Sequence, residues 1–334
     1  MTGSPGIISV PAVPDANDPK DRNDLRQTPH KPLTPAAGLF ALFLSILWSG
    51  NPIAIKSGLD DAPALRLGWM RFVAGGVVVL IWAIYVRADL RIRRGEWLPL
   101  VALGVLFSVQ IAFMNIGLTR TTAGHSAILT VTFPIWVAVL AHFFVPGDRL
   151  NIQSLIGVIT AYAGILVLFA DSLGLDRDLL IGDLLSAISG FLLGARLVYN
   201  ARIVQELHPA KLLLSQAVFG IAIFLVASSL FESEEYVWSS KLAVSILYQG
   251  VVIAGFGFIG NLWLLKRYLP SQVSVISLSQ PVFSIFAAWV ILGEELNSAL
   301  WISVVLVMIG AGLVQRGRMQ MQARAAAVQQ APGA

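Results

Sequence analysis

Gly147-Asp148-Arg149-Leu150-Asn151 returns as Gly293-Glu294-Glu295-Leu296-Asn297, 146 positions further along the chain. At the same offset Asn115 meets Asn261 and Gly164 meets Gly310, while Pro134 meets Pro281 with a slip of one residue. The second half therefore repeats the first. Each copy holds about five long apolar segments, each near the 20 residues a helix needs to cross a bilayer. An odd number of crossings turns the second copy over, so the two copies face opposite ways.

Composition supports a lipid environment. The 334 residues are 56% hydrophobic and 13% charged, with a mean hydropathy of +0.76. Soluble domains carry about 25% charged residues. The net charge of +4 comes from short basic clusters between apolar runs, which suits a membrane face and not nucleic acid. With no cysteine, disulfides, thiolate metal sites and Cys nucleophiles are excluded. The four histidines show no metal-ligand spacing, and no cofactor is expected.

Spans are expected near 37–57, 64–86, 97–118, 122–145, 152–170, 181–200, 212–231, 242–264, 270–292 and 298–315, the last one short. No run alternates polar and apolar residues as a membrane barrel would. The expected fold is an all-α integral membrane protein with ten transmembrane helices in two inverted five-helix repeats, 36–171 and 180–316. Residues 1–35, with seven prolines and few aromatics, read as a disordered cytoplasmic tail. Residues 317–334 form a second cytoplasmic tail, and the Arg/Gln/Ala-rich stretch from Arg316 reads as a frayed helix.

Basic residues orient the chain. With the N-terminus in the cytoplasm, sixteen of the 23 Lys/Arg fall inside and five outside, while Arg71 and Arg196 lie within spans. Both termini are then cytoplasmic, in a multi-pass protein of the cytoplasmic (inner) membrane. Two inverted copies about a shared midplane are how many secondary transporters alternate access to a site. A channel would show a polar filter or charge ring. A serine hydrolase would need a Ser beside a His base. Gly124-His125-Ser126 offers both, without an oxyanion element.

Several stretches resemble the drug/metabolite transporter superfamily in its EamA branch. Trp48-Ser49-Gly50-Asn51-Pro52-Ile53-Ala54-Ile55-Lys56 resembles the first-helix signature W-G-x-N-x-x-x-x-K. Arg71-Phe72 resembles the second helix, and Asn115-Ile116-Gly117-Leu118 with Thr121-Thr122-Ala123-Gly124 the corner between the third and fourth. Pro281-Val282-Phe283 through Leu292-Gly293-Glu294-Glu295-Leu296 resembles the ending of each repeat. The first copy departs from it, with Val145-Pro146-Gly147-Asp148-Arg149 in place of L-G-E-R. The resemblance covers about 36–316. It implies a monomeric or homodimeric permease, usually an exporter of amino acids, related metabolites or toxic organic compounds. The substrate would sit among helices 1, 3, 4, 6, 8 and 9, with 5 and 10 peripheral.

Polar groups inside hydrocarbon are costly and tend to line a wet cavity. On that ground the substrate-binding candidates are Trp48, Asn51, Gln110, Asn115, Thr130, Trp136, Arg196, Asn261, Ser277 and Gln280. Pro134 and Pro281 each free a carbonyl one turn earlier, near Thr130 and Ser277, and are the hinge candidates. Lys56 and His125 are candidates for coupling or gating. Trp48 and Trp136, with Phe133, Phe256 and Phe283, offer an aromatic wall for planar or cationic groups. Asp183 stands at the expected start of the sixth span and reads as a helix cap. With no acid expected in mid-span, a carboxylate proton relay is not expected. The partners expected are a small-molecule substrate and membrane lipids. Glycines on the fifth and tenth spans, including Gly157 and Gly310, favour close helix approach and are available to a dimer.

Overall fold

The computed structural model describes residues 34–144, 151–175, 177–203, 207–265, 276–277 and 279–330. Among the described residues there is no strand. The helices are α1 Pro35–Ser49, α2 Asn51–Leu59, α3 Ala64–Tyr85, α4 Trp97–Arg120, α5 Ala123–Thr130, α6 Phe133–Phe144 and α7 Ile152–Leu175. The second copy contributes α8 Arg177–Ile203, α9 Pro209–Phe231, α10 Ser240–Leu247, a π-helical stretch Tyr248–Gly257, α11 Phe258–Leu265, α12 Gln280–Leu292 and α13 Ser298–Gln330. Among the described residues, seven segments are long and apolar enough to cross a membrane, and three further apolar helical stretches, Ala123–Val137, Ile152–Val167 and Gln280–Leu292, bring the total to ten. The molecule is an all-α membrane protein of two inverted five-span repeats.

The duplicated sequence has a local cause. Asn151 and Asn297, the last residues of the two matching stretches, cap the next helix: their Oδ1 atoms accept from Ser154 N at 2.8 Å and Leu300 N at 2.8 Å. Each side chain satisfies an otherwise orphaned first-turn donor. Gly293 ends α12 in the left-handed region, φ 71°, where a side chain would be strained. Its counterpart Gly147, and the departing stretch 145–149, lie outside the described residues.

The tenth span differs from expectation. It runs Ser298–Met321, and its helix continues to Gln330. The Gln, Arg, Met and Ala residues beyond Arg316 are strong helix formers, and no proline interrupts them before Pro332.

Two of the seams between the repeats show how closely they pack. In one, Phe72 on α3 packs edge-on against Phe224 on α9 at 5.1 Å and tilts against Phe107 on α4 at 5.3 Å. In the other, α7 and α13 touch backbone to backbone. A Cβ added at Gly157 or at Gly310 would lie 2.5 Å from a backbone atom of the facing helix. These glycines are used within the chain and are not available to a dimer. Large apolar side chains such as Leu39, Ile81, Val226 and Val290 remain exposed around the outside, as a lipid-facing surface requires.

Candidate functional site

The first span is broken at Gly50. α1 ends at Ser49, Gly50 donates back to Leu47 O, and Pro52, near the start of α2, has no N–H to continue the ladder. The Leu47 carbonyl also accepts from the Tyr248 hydroxyl at 2.6 Å. Tyr248 opens the π-helical stretch of the eighth span, a geometry that often marks functional sites. Trp48 packs edge-on against Phe258 at 5.4 Å. Trp48 and Asn51 thus flank the break, and both Trp48 Nε1 and Asn51 Oδ1 are buried without a partner.

A second group gathers on α8. Gln110 Nε2 donates to Ser189 Oγ at 3.0 Å, and Ser189 Oγ donates to Gln110 O at 3.1 Å. A Cβ at Gly190 would lie 2.6 Å from Leu129 O and 3.3 Å from Thr130 Cα, so the broken fourth span meets α8 at the same level. Gln110 Oε1, Thr130 Oγ1 and Asn115 Oδ1 have no partner. Asn115 Nδ2 donates to Ala64 O at 3.0 Å and ties α4 to the start of α3. The spacing of Asp183, Ser186, Ser189, Arg196 and Asn200 keeps them on one face of α8, a polar stripe along a helix otherwise set in apolar surroundings.

The bundle end that the basic-residue count places outside is closed by hydrogen bonds. Lys56 Nζ donates to Leu118 O at 2.8 Å and Thr121 O at 2.6 Å, a cation on the carbonyl end of α4. Glu294 accepts from Ala123 N at 2.6 Å and Gly124 N at 3.0 Å, capping α5. Glu232 does the same for α3, accepting from Leu65 N at 2.6 Å and Arg66 N at 2.9 Å. Both carboxylates come from the second repeat and both capped helices from the first.

Asp183 corrects the sequence reading. α8 begins at Arg177, almost two turns earlier, so Asp183 does not cap it. Its carboxylate is fully buried and accepts from His125 Nδ1 at 2.9 Å and from the Thr121 hydroxyl. A buried carboxylate is therefore present after all. Ser126 accepts from Ser186 at 3.2 Å instead of meeting His125, so no Ser–His nucleophile pair forms.

The aromatic wall is not assembled as expected. Trp136 packs against Tyr162 of α7 at 5.6 Å and Phe191 of α8 at 5.2 Å, while Trp48 faces Phe258. Phe256 turns to Phe40 and Phe43 at the lipid-facing surface. Of the remaining candidates, Asn261 is half-buried on α11, Gln280 opens α12 with Pro281 in its first turn, and Ser277 is half-buried just ahead of them. Pro134 sits at the α5–α6 break, next to the partnerless Thr130 hydroxyl. Sequence reading gave Glu294, Glu232 and Thr121 no role in the site and did not pair His125, its coupling candidate, with Asp183. The repeated acid after Gly293 was the one available signal for Glu294.

Residues 36–170 and 180–316 each match the model of the EamA-like transporter family. A probable amino-acid metabolite efflux pump of Escherichia coli is 27% identical over 82% of this chain and 92% of its own length. Its counterpart in Salmonella typhimurium is 28% identical over the same shares. An uncharacterized transporter of Bacillus subtilis, YoaV, is 23% identical over 80% of this chain and 92% of its own. A protein of known crystal structure superposes with a TM-score of 0.63 at 22% identity, over 84% of this chain and 97% of that one, a likeness of fold alone.

Proposed function

The chain belongs to the EamA-like transporter family, and on that premise we propose that it exports small organic metabolites, amino acids or their derivatives, from the cytoplasm by alternating access. The reading is that of a carrier and not an enzyme. It places the protein in the cytoplasmic membrane with both termini inside. The observation that carries it is the set of partnerless buried polar atoms: Trp48 Nε1, Asn51 Oδ1 and Thr130 Oγ1 at the helix breaks, and Gln110 Oε1 and Asn115 Oδ1 on α4. Each buried group left unsatisfied costs about 1–3 kcal/mol. A fold keeps several of them together where a ligand completes them during the cycle.

In this reading Asn51, Gln110, Asn115, Thr130, Arg196, Asn261, Ser277 and Gln280 orient the substrate, with Trp48 beside them at the break of the first span. Pro134 and Pro281 supply hinges. Lys56 and Glu294 hold the outer end shut, and the His125–Asp183 pair takes up and releases the coupling proton. The efflux pumps named above support the amino-acid class.

A second reading, export of hydrophobic drug-like compounds, draws on a groove of about 570 Å³ that opens on the lipid-facing side. Phe40, Val78, Val251, Phe256 and Trp263 line it, almost without polar surface. Expression in sensitive cells challenged with amino-acid analogues and with hydrophobic drugs separates the two. Tolerance to analogues, with counterflow of the labelled amino acid in proteoliposomes, is the expected result. Tolerance to drugs alone would replace the first reading with the second, and absence of any counterflow would remove the carrier.

A further inference from the structure

Arg71 and Arg196 are 2% and 6% exposed. A guanidinium keeps its proton in any protein environment, so each brings a full positive charge into the apolar interior. The penalty for such an ion is several kcal/mol unless a counter-charge offsets it. Among the described residues neither arginine has one. The ion pairs are Arg120–Asp178, His125–Asp183, Lys211–Glu96 and Lys241–Asp60.

Each arginine instead meets one amide oxygen. Arg71 Nη1 donates to Gln249 Oε1 at 3.1 Å, and Arg196 Nη1 donates to Gln216 Oε1 at 2.7 Å. Both Nε–H donors lack an acceptor. The two guanidiniums bracket a pair of rings. Arg71 lies 5.5 Å from the Phe72 ring centre, Phe72 5.3 Å from Phe107, and Phe107 4.7 Å from Arg196. Cation–π contact contributes about 2 kcal/mol when desolvated, which does not offset two ions that also repel each other. Glutamine at 216 and 249 matters here: its oxygen orients a guanidinium without neutralising it. A glutamate in either place would have closed the charge balance.

We propose that Arg71 and Arg196 are the anion-recognition residues of the translocation route, and that the substrate carries a carboxylate which supplies the missing negative charge. This rests on the carrier reading and adds the substrate's charge to it. The unused Nε–H donors give each arginine a free hydrogen bond for the incoming oxygen. The space beside them, lined by Phe72, Phe107, Gln216 and Ala254, is about 20 Å³, room for about one water. A metabolite therefore reaches the arginines only after α3, α4 and α9 separate, in another state of the cycle.

The test uses the full-length protein and three matched pairs: leucine, phenylalanine and threonine, each with its carboxamide. In detergent, the acids should raise the thermal unfolding midpoint, while the amides and sodium chloride at equal ionic strength should not. Arg71→Gln and Arg196→Gln should abolish that response. Their midpoints without ligand should hold or rise, because an uncompensated buried charge has been removed. In proteoliposome counterflow the acid should be preferred over its amide by about tenfold or more, from one charge-assisted hydrogen bond. That preference should fall to about onefold in the glutamine variants and survive in Arg71→Lys and Arg196→Lys.

A chloride response equal to the acids' would make the site a counter-ion seat and overturn the proposal. So would glutamine variants that keep the acid response, or that lose stability while the lysine variants lose selectivity as well. Equal exchange of acids and amides overturns the carboxylate but leaves the carrier standing. No exchange of any probe removes both.

Discussion

Asp183 shows how one residue changes the reading of coupling. Its carboxylate is shut away with His125 Nδ1 and the Thr121 hydroxyl, and the nearby charges are Lys56, Glu294 and the Arg120–Asp178 pair. Such Asp/His pairs within a membrane are typical proton relays. Asp183→Asn removes the proposed relay while keeping side-chain size and hydrogen-bonding capacity. We expect this variant to exchange substrate at equal pH on both sides but to lose accumulation driven by a pH gradient. Fluorescent monitoring of lumenal pH during transport checks it, and gradient-driven uptake at the wild-type level would assign the pair to structure. The residue was visible in sequence, but its role was not. Its meaning depended on where α8 starts, and hydropathy blurs a boundary when Arg177 and Asp178 belong to the same helix.

At the scale of elements, charge from one repeat stabilises helix ends of the other. Glu294 satisfies two first-turn donors of α5, and a cap of this kind contributes about 0.5–2 kcal/mol. Glu294→Ala should lower the thermal midpoint of the purified protein. Glu294→Gln, which still accepts a hydrogen bond but lacks the charge, should fall between it and the parent. Equal midpoints for all three would mean that water serves those donors as well. The helices themselves were largely legible, because long apolar runs mark them and the expected starts at 152 and 298 are the ones that Asn151 and Asn297 cap. The breaks were half legible. Proline announced the one at Pro134, and Gly50-Asn51-Pro52 carried the same signal unread. The π-helical turn at Tyr248–Gly257 has no proline to announce it and arises from packing against α3, where Gly250 sits on Arg71 O. The aromatic wall failed for a related reason, since sequence shows which rings exist but not which face of a kinked helix they occupy.

At the scale of the molecule, two inverted halves require that equivalent loops end on opposite sides. Reporter fusions at 147–151 and at 293–297 should report different compartments, the first cytoplasmic and the second external. The same compartment for both would dismantle the proposed orientation. This level was the most legible, because a repeat and its span count survive many local errors of boundary.

The glycine contact between α7 and α13 sets a limit on how such a molecule can move. With backbone against backbone at Gly157 and Gly310, neither rod can slide past the other without collision. The last span of each half is thereby fixed to its twin as a stator. In the proposed cycle, movement is left to the other spans, which swing about that paired spine.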